Sequence, residues 1–147
     1  MRYLADAYIM GALRRGRPVE QFLGPIGAPG RRGVAYVEVR STKASYGVYL
    51  HALEDVGGEN LCDLVKFPPL SDGEDEEFGR LVATTKEPAT ALACAEEATG
   101  AARWRWVNEN LVHDEYSDFV RAARPADRSP DGHTRPTSAA DFEMPPR

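Results

Sequence analysis

Two stretches of alternating polarity, joined by five residues, constrain this chain more than any other feature. In residues 34–40, Val34, Tyr36, Glu38 and Arg40 fall on one side of an extended backbone, and Ala35, Val37 and Val39 on the other. Residues 46–56 repeat the pattern, with Val48, Leu50 and Ala52 on one side and Gly47, Tyr49, His51 and Leu53 on the other. The intervening residues 41–45 are polar and turn-forming. A connection this short cannot cross over a sheet, so the two strands form an antiparallel hairpin. Gly57 and Gly58 end it.

Helical patterns surround the hairpin. Residues 3–15 place Leu4, Ala7, Tyr8 and Gly11 on one face, and Gly16 suits the left-handed residue that follows a helix. Pro18 fits the start of a second short helix over residues 19–23. Residues 24–33 hold four glycines and two prolines and read as a loop. They do not read as a phosphate loop, because Pro25 and Pro29 remove backbone donors and the expected strand-then-helix flanks are missing. Residues 60–67 form a short apolar piece stopped by Pro68 and Pro69, and residues 78–85 a strand. Pro88 opens a helix that runs to Thr99 and stops at Gly100. Residues 103–107 read as a strand with Trp104 and Trp106 facing the core and Arg103 and Arg105 facing water. A last helix spans residues 113–124, with Tyr116, Phe119, Val120 and Ala123 on one face. Its acidic first turn and basic last turn both complement the helix dipole.

This order predicts an α+β fold: an antiparallel or mixed sheet of about four strands, helices packed on one face, and two leading helices. With 147 residues there is room for one domain, over 1–124. The remaining residues, 125–147, include five prolines and few apolar side chains, and predict a disordered tail. No stretch is apolar enough to span a membrane and no secretory leader is visible, so a cytoplasmic location is expected. Cys62 and Cys94 are then reduced thiols in apolar surroundings. Arg outnumbers Lys fifteen to three and Ala occurs twenty times against two Ile, a bias expected of a GC-rich bacterial genome.

Charge excludes some functions. The net charge of −5 combines +4 in residues 1–32 with −8 in residues 33–124. An acidic body repels phosphate backbones, so nucleic-acid binding is not expected. The interleaved Arg103-Trp104-Arg105-Trp106 is explained by a half-buried strand whose arginines pair with carboxylates. Residues 19–23 are too short and apolar for a DNA recognition helix. His51, Glu54, Asp55, Glu59 and Asp63, with His113, Asp114, Glu115 and Asp118, include metal-ligand types but none of the spacings that build a metal site, so no cofactor is expected. No serine sits in a nucleophile elbow.

What remains is a small acidic binding protein for a basic protein partner, in the manner of an immunity-type neutraliser of a basic bacterial toxin. The predicted docking patch is the acidic run Asp72, Glu74, Asp75, Glu76 and Glu77, with Phe67, Leu70 and Phe78 as apolar anchors. The alternative is a small enzyme or ligand-binding domain with a polar pocket made by His51, Glu54, His113 and Glu115, which requires those four side chains to converge.

Overall fold

The hairpin is the centre of the sheet. In the computed structural model, which describes residues 2–28, 30–58, 60–70 and 79–122, the elements follow the order α1 (Asp6–Arg14), β1 (Val19–Ala28), β2 (Arg31–Ser41), β3 (Tyr46–Glu54), β4 (Arg80–Thr85), α2 (Pro88–Thr99), β5 (Val107–Asn108) and α3 (Val112–Arg121). All strand pairs are antiparallel, in the order β4-β3-β2-β1-β5. The fold is α+β, with five strands where the sequence suggested about four. The acidic residues Asp72, Glu74, Asp75, Glu76 and Glu77, the anchor Phe78 and the tail 125–147 lie outside the described residues.

The second leading helix is instead a strand. Residues 19–23 begin β1, which pairs with β2 from Val19↔Val39 to Ala28↔Arg31. Alternation of Val19, Gln21 and Leu23 against Glu20 and Phe22 satisfies β2 on both faces, which a one-and-a-half-turn helix would not. The glycines and prolines that suggested a loop are accommodated by two features. The register shifts between Phe22 and Gly24, and Gly24 takes a positive φ of 95° in that bulge. β5 pairs only with Val19 and Glu20, so among the described residues β1 has no ladder partner on that side beyond them. Pro25, paired with Val34, therefore sits where a missing N–H costs no sheet hydrogen bond.

Both faces of the sheet are covered by helix, rather than one. α1 and α2 pack over Val19, Val37, Val39 and Val48, together with the fully buried Trp106. α1 ends at Gly16 as its sequence indicates: φ is 82°, and the N–H groups of Gly16 and Arg17 return to the carbonyls of Leu13 and Ala12. α2 starts on Pro88 and stops at Gly100, φ 79°. On the opposite face α3 and a short 3₁₀ turn, Leu64–Lys66, pack on Phe22, Val34, Tyr36 and Leu53 through Val112, Tyr116 and Phe67. Each fully buried aliphatic or aromatic side chain contributes about 1.5–3 kcal/mol relative to exposure, so these two clusters dominate stability.

Residues 103–107 are not a continuous strand. Arg103–Arg105 is a 3₁₀ turn and only Val107–Asn108 joins the sheet. The turn rotates successive side chains apart, so Trp106 is buried while Trp104 is 67 % exposed and meets Tyr3 edge-on. The arginines do pair with carboxylates: Arg103 with Glu96 and Arg105 with Glu115. Among the described residues no helix is long and apolar enough to cross a membrane.

Candidate functional site

α3 and the 3₁₀ turn cover only part of their face of the sheet. The row Val34, Tyr36, Glu38, Arg40 in β2 runs from apolar to charged along that face. Strand register extends the polar end sideways: Glu20 of β1 pairs with Glu38, Tyr49 of β3 with Glu38, and His51 with Tyr36. A cavity of about 390 Å³ lies over this region. Glu20, Tyr36, Glu38, Arg40 and His51 form its polar lining, Leu53, Leu64, Val65, Phe67 and Pro69 its apolar wall, and Glu109 and Asn110 a further edge.

The polar lining is organised around two carboxylates. Glu38 Oε1 accepts from Arg40 at 2.9 Å and lies 3.0 Å from His51 Nε2. Burial pushes the Glu38 carboxyl up, but the His51 contact and the Arg40 charge outweigh it and hold the group below the usual carboxylate range. Arg40 also stacks over Tyr49, 3.7 Å from the ring centre. His51 stacks flat on Tyr36 at 4.2 Å, and on its other side an added Cβ at Gly79 would lie 2.7 Å from the ring. Gly79 has φ 90°. His51 is thereby clamped, with Nε2 set against Glu38.

Glu20 is balanced differently. It is 6 % exposed, and its Oε1 accepts the backbone N–H of Asn110 at 2.9 Å. Asn110 takes a φ of 77°, a left-handed conformation that Asn tolerates better than most residues, and this turns its N–H toward β1. Among the described residues no cation pairs with Glu20. Burial, together with the charges of Glu38 and Glu109, raises its carboxyl to about 7 despite the Asn110 bond. The same burial and the charges of Glu20 and Glu38 push the Tyr36 hydroxyl up.

The four residues of the sequence-derived pocket are dispersed. His51 alone lines this cavity. Glu54 lies on the opposite face of β3, three positions along. His113 accepts the Leu64 N–H through Nδ1 and has Nε2 3.6 Å from Asp63. Burial, against the opposing charges of Asp63 and Asp114, lowers its pKa. Glu115 turns inward from α3, where it receives Arg2, the Tyr3 hydroxyl and Arg105. That cluster ties the N-terminal segment to α3 and the 3₁₀ turn.

The docking anchors are placed differently as well. Phe67 is buried and meets Tyr116 edge-on at 5.3 Å, so it is core and not a surface anchor. Its closeness in sequence to the acidic run made it a candidate anchor, but the 3₁₀ turn Leu64–Lys66 leads it against Tyr116 of α3. Leu70 is half-buried, with its N–H on the Ala52 carbonyl and its side chain against Gly33.

Glu20, Tyr36, Glu38 and Arg40 are missing from the sequence-derived site. The apolar-to-charged gradient along one face of β2 was a usable signal for Tyr36, Glu38 and Arg40. Glu20 had none, because its segment read as a helix. The arrangement can do two things chemically: hold a cation against two or three carboxylates, or exchange a proton at Glu20 near neutral pH. Among the described residues no three His, Cys, Asp or Glu side chains are arranged to hold a metal ion. Compared with protein-family models, with curated proteins and with solved structures, the chain finds no match.

Proposed function

We propose that the protein is a non-catalytic binding module for a basic protein partner, which it meets over the polar half of the sheet face. The observation that carries this reading is the charge of the cavity. Glu20, Glu38 and Glu109 line it, and among the described residues Arg40 is the one fixed cation set against them. A partner's basic side chain supplies what the cavity lacks, and Val65, 68 % exposed on the rim, offers apolar contact beside it. The clamped His51 favours binding over proton-transfer chemistry, because a group held on both ring faces and at Nε2 has little access to a substrate. An immunity-type neutraliser of a basic toxin is the form of this function that composition favours. The reading places the protein in the cytoplasm, where Cys62 and Cys94 stay reduced.

The test is a tagged pull-down at low and moderate salt. Wild-type protein, a Glu20→Gln/Glu109→Gln variant and a variant neutralised at Asp72, Glu74, Asp75, Glu76 and Glu77 are compared. A basic protein held by wild type, released at the higher salt and lost from the Glu20/Glu109 variant is the expected result. A partner lost only from the 72–77 variant moves the interface to that segment. Absence of any basic partner refutes the reading.

A further inference from the structure

We propose that the cavity is a receptor for one lysine side chain of the partner, its ammonium held between Glu20 and Glu38 and its methylene stem laid against Leu53, Leu64 and Val65. The inference rests on the binding role proposed above and names the group that is bound.

Directly opposed residues of an antiparallel pair have Cβ atoms about 4.5–5.5 Å apart. Glu20 and Glu38 are so paired, which brings two carboxylates to one spot. Each has one oxygen committed: Glu20 Oε1 to the Asn110 N–H, and Glu38 Oε1 to His51 and Arg40. Among the described residues nothing bonds the other oxygen of either, so one oxygen of each remains for a ligand. A guanidinium fork is matched by both oxygens of a single carboxylate, and neither residue offers that pair. An ammonium presents three donors around a point and can take one oxygen from each. Glu20 is nine-tenths buried with no cation beside it among the described residues, so an arriving ammonium replaces a missing charge rather than competing for a satisfied one. The apolar wall fits a stem of four methylenes, the part of lysine that buries along apolar surface while its head stays polar.

Uptake is coupled to a proton. The charged groups around Glu20 are Glu38 on β2 and Glu109 before α3, with Tyr36, Arg40 and His51 lining the same cavity. Glu20 takes up its proton at about 7, and the ammonium requires the ionised form. Below that point affinity therefore falls about tenfold for each unit by which pH is lowered, and above it affinity is level.

The experiment uses the whole chain and three probes at millimolar concentration: Nα-acetyl-lysine methylamide, its arginine analogue and its norleucine analogue. The side-chain carboxyl carbons of Glu20 and Glu38 are followed by NMR from about pH 5 to about pH 8. Expected are saturable shifts at both carbons with the lysine probe, weaker by at least about tenfold with arginine and absent with norleucine. The lysine affinity should climb with pH and plateau near 7, and Glu20→Gln should abolish both the shifts and the pH dependence. Equal response to lysine and arginine overturns the lysine assignment. No response to any probe overturns the receptor. Either result leaves the pull-down outcome standing, so the two ideas fail separately.

Discussion

Replacing Glu20 by Gln is expected to stabilise the protein at neutral and alkaline pH and to leave it unchanged near pH 4. The wild-type carboxyl releases its proton at about 7 instead of 4.5, first because of burial and then because of the nearby charges of Glu38 and Glu109. Between those two values the folded protein keeps a proton that the unfolded chain has already lost. Folding there takes up a proton, so stability is full below the unfolded value and falls as pH rises through the folded one. At about 1.4 kcal/mol for each pH unit, the gap costs about 3 kcal/mol once both states are ionised. Water entering the cavity around the carboxylate offsets part of that, and about 2 kcal/mol is the expected gain on substitution. Gln keeps an oxygen for the Asn110 N–H and places an amide donor toward Glu38, so no new unsatisfied group arises. Urea denaturation of both proteins from about pH 4 to about pH 8 measures the effect, since carboxylates that do not couple to Glu20 cancel in the difference. For a domain of this size 2 kcal/mol corresponds to about 8 °C in Tm. A difference that stays flat with pH, or a variant less stable at pH 8, refutes the account of Glu20.

Three further outcomes follow from the same geometry. Gly79→Ala should destabilise by about 2–3 kcal/mol and displace the His51 ring from Tyr36, because the new Cβ meets that ring at 2.7 Å on a backbone with positive φ; thermal unfolding and the His51 ring proton shifts report it, and an unchanged Tm refutes the clamp. Asn110→Gly should be near neutral and Asn110→Val should cost about 1–2 kcal/mol, since the left-handed turn that aims the amide at Glu20 suits Gly and opposes a β-branched side chain; equal denaturation midpoints for the two variants count against it. Glu115→Gln should cost about 1–2 kcal/mol, because it removes the buried carboxylate shared by Arg2 and Arg105 and loosens the N-terminal segment, while Arg2 keeps Asp118 and both guanidinium groups are about one-third exposed; chemical denaturation with amide exchange at Tyr3 and Leu4 checks it, and no measurable loss shows the cluster to be solvated.

Much of the fold was written in local patterns. The β2–β3 hairpin, with its two faces in the order read from alternation, α2 between Pro88 and Gly100, and the Gly16 stop of α1 each depend on residues a few positions apart. Backbone preference and side-chain period are local properties, so a sequence shows them directly. Residues 19–28 pattern locally as helix and loop, because a strand rich in Gly and Pro is stable only where a neighbour pairs on one side and none is needed on the other. Trp104 and Trp106 were read alike for a related reason: a 3₁₀ turn and a strand send alternate side chains to different places, and local spacing does not separate them.

The candidate site belongs to the tertiary structure. Glu38, Arg40 and His51 were visible as polar residues on strand faces, but what they surround depended on register and on what packs above. Glu20 meets Glu38 only because β1 joins the sheet in that register, and it meets Asn110 only because β5 returns to the far side of β1. Composition established an acidic chain with no recognisable catalytic spacing. Where the acid is concentrated, and which carboxylate is left without a cation among the described residues, was decided by contacts spanning up to ninety positions, because charge is felt through space and not along the chain.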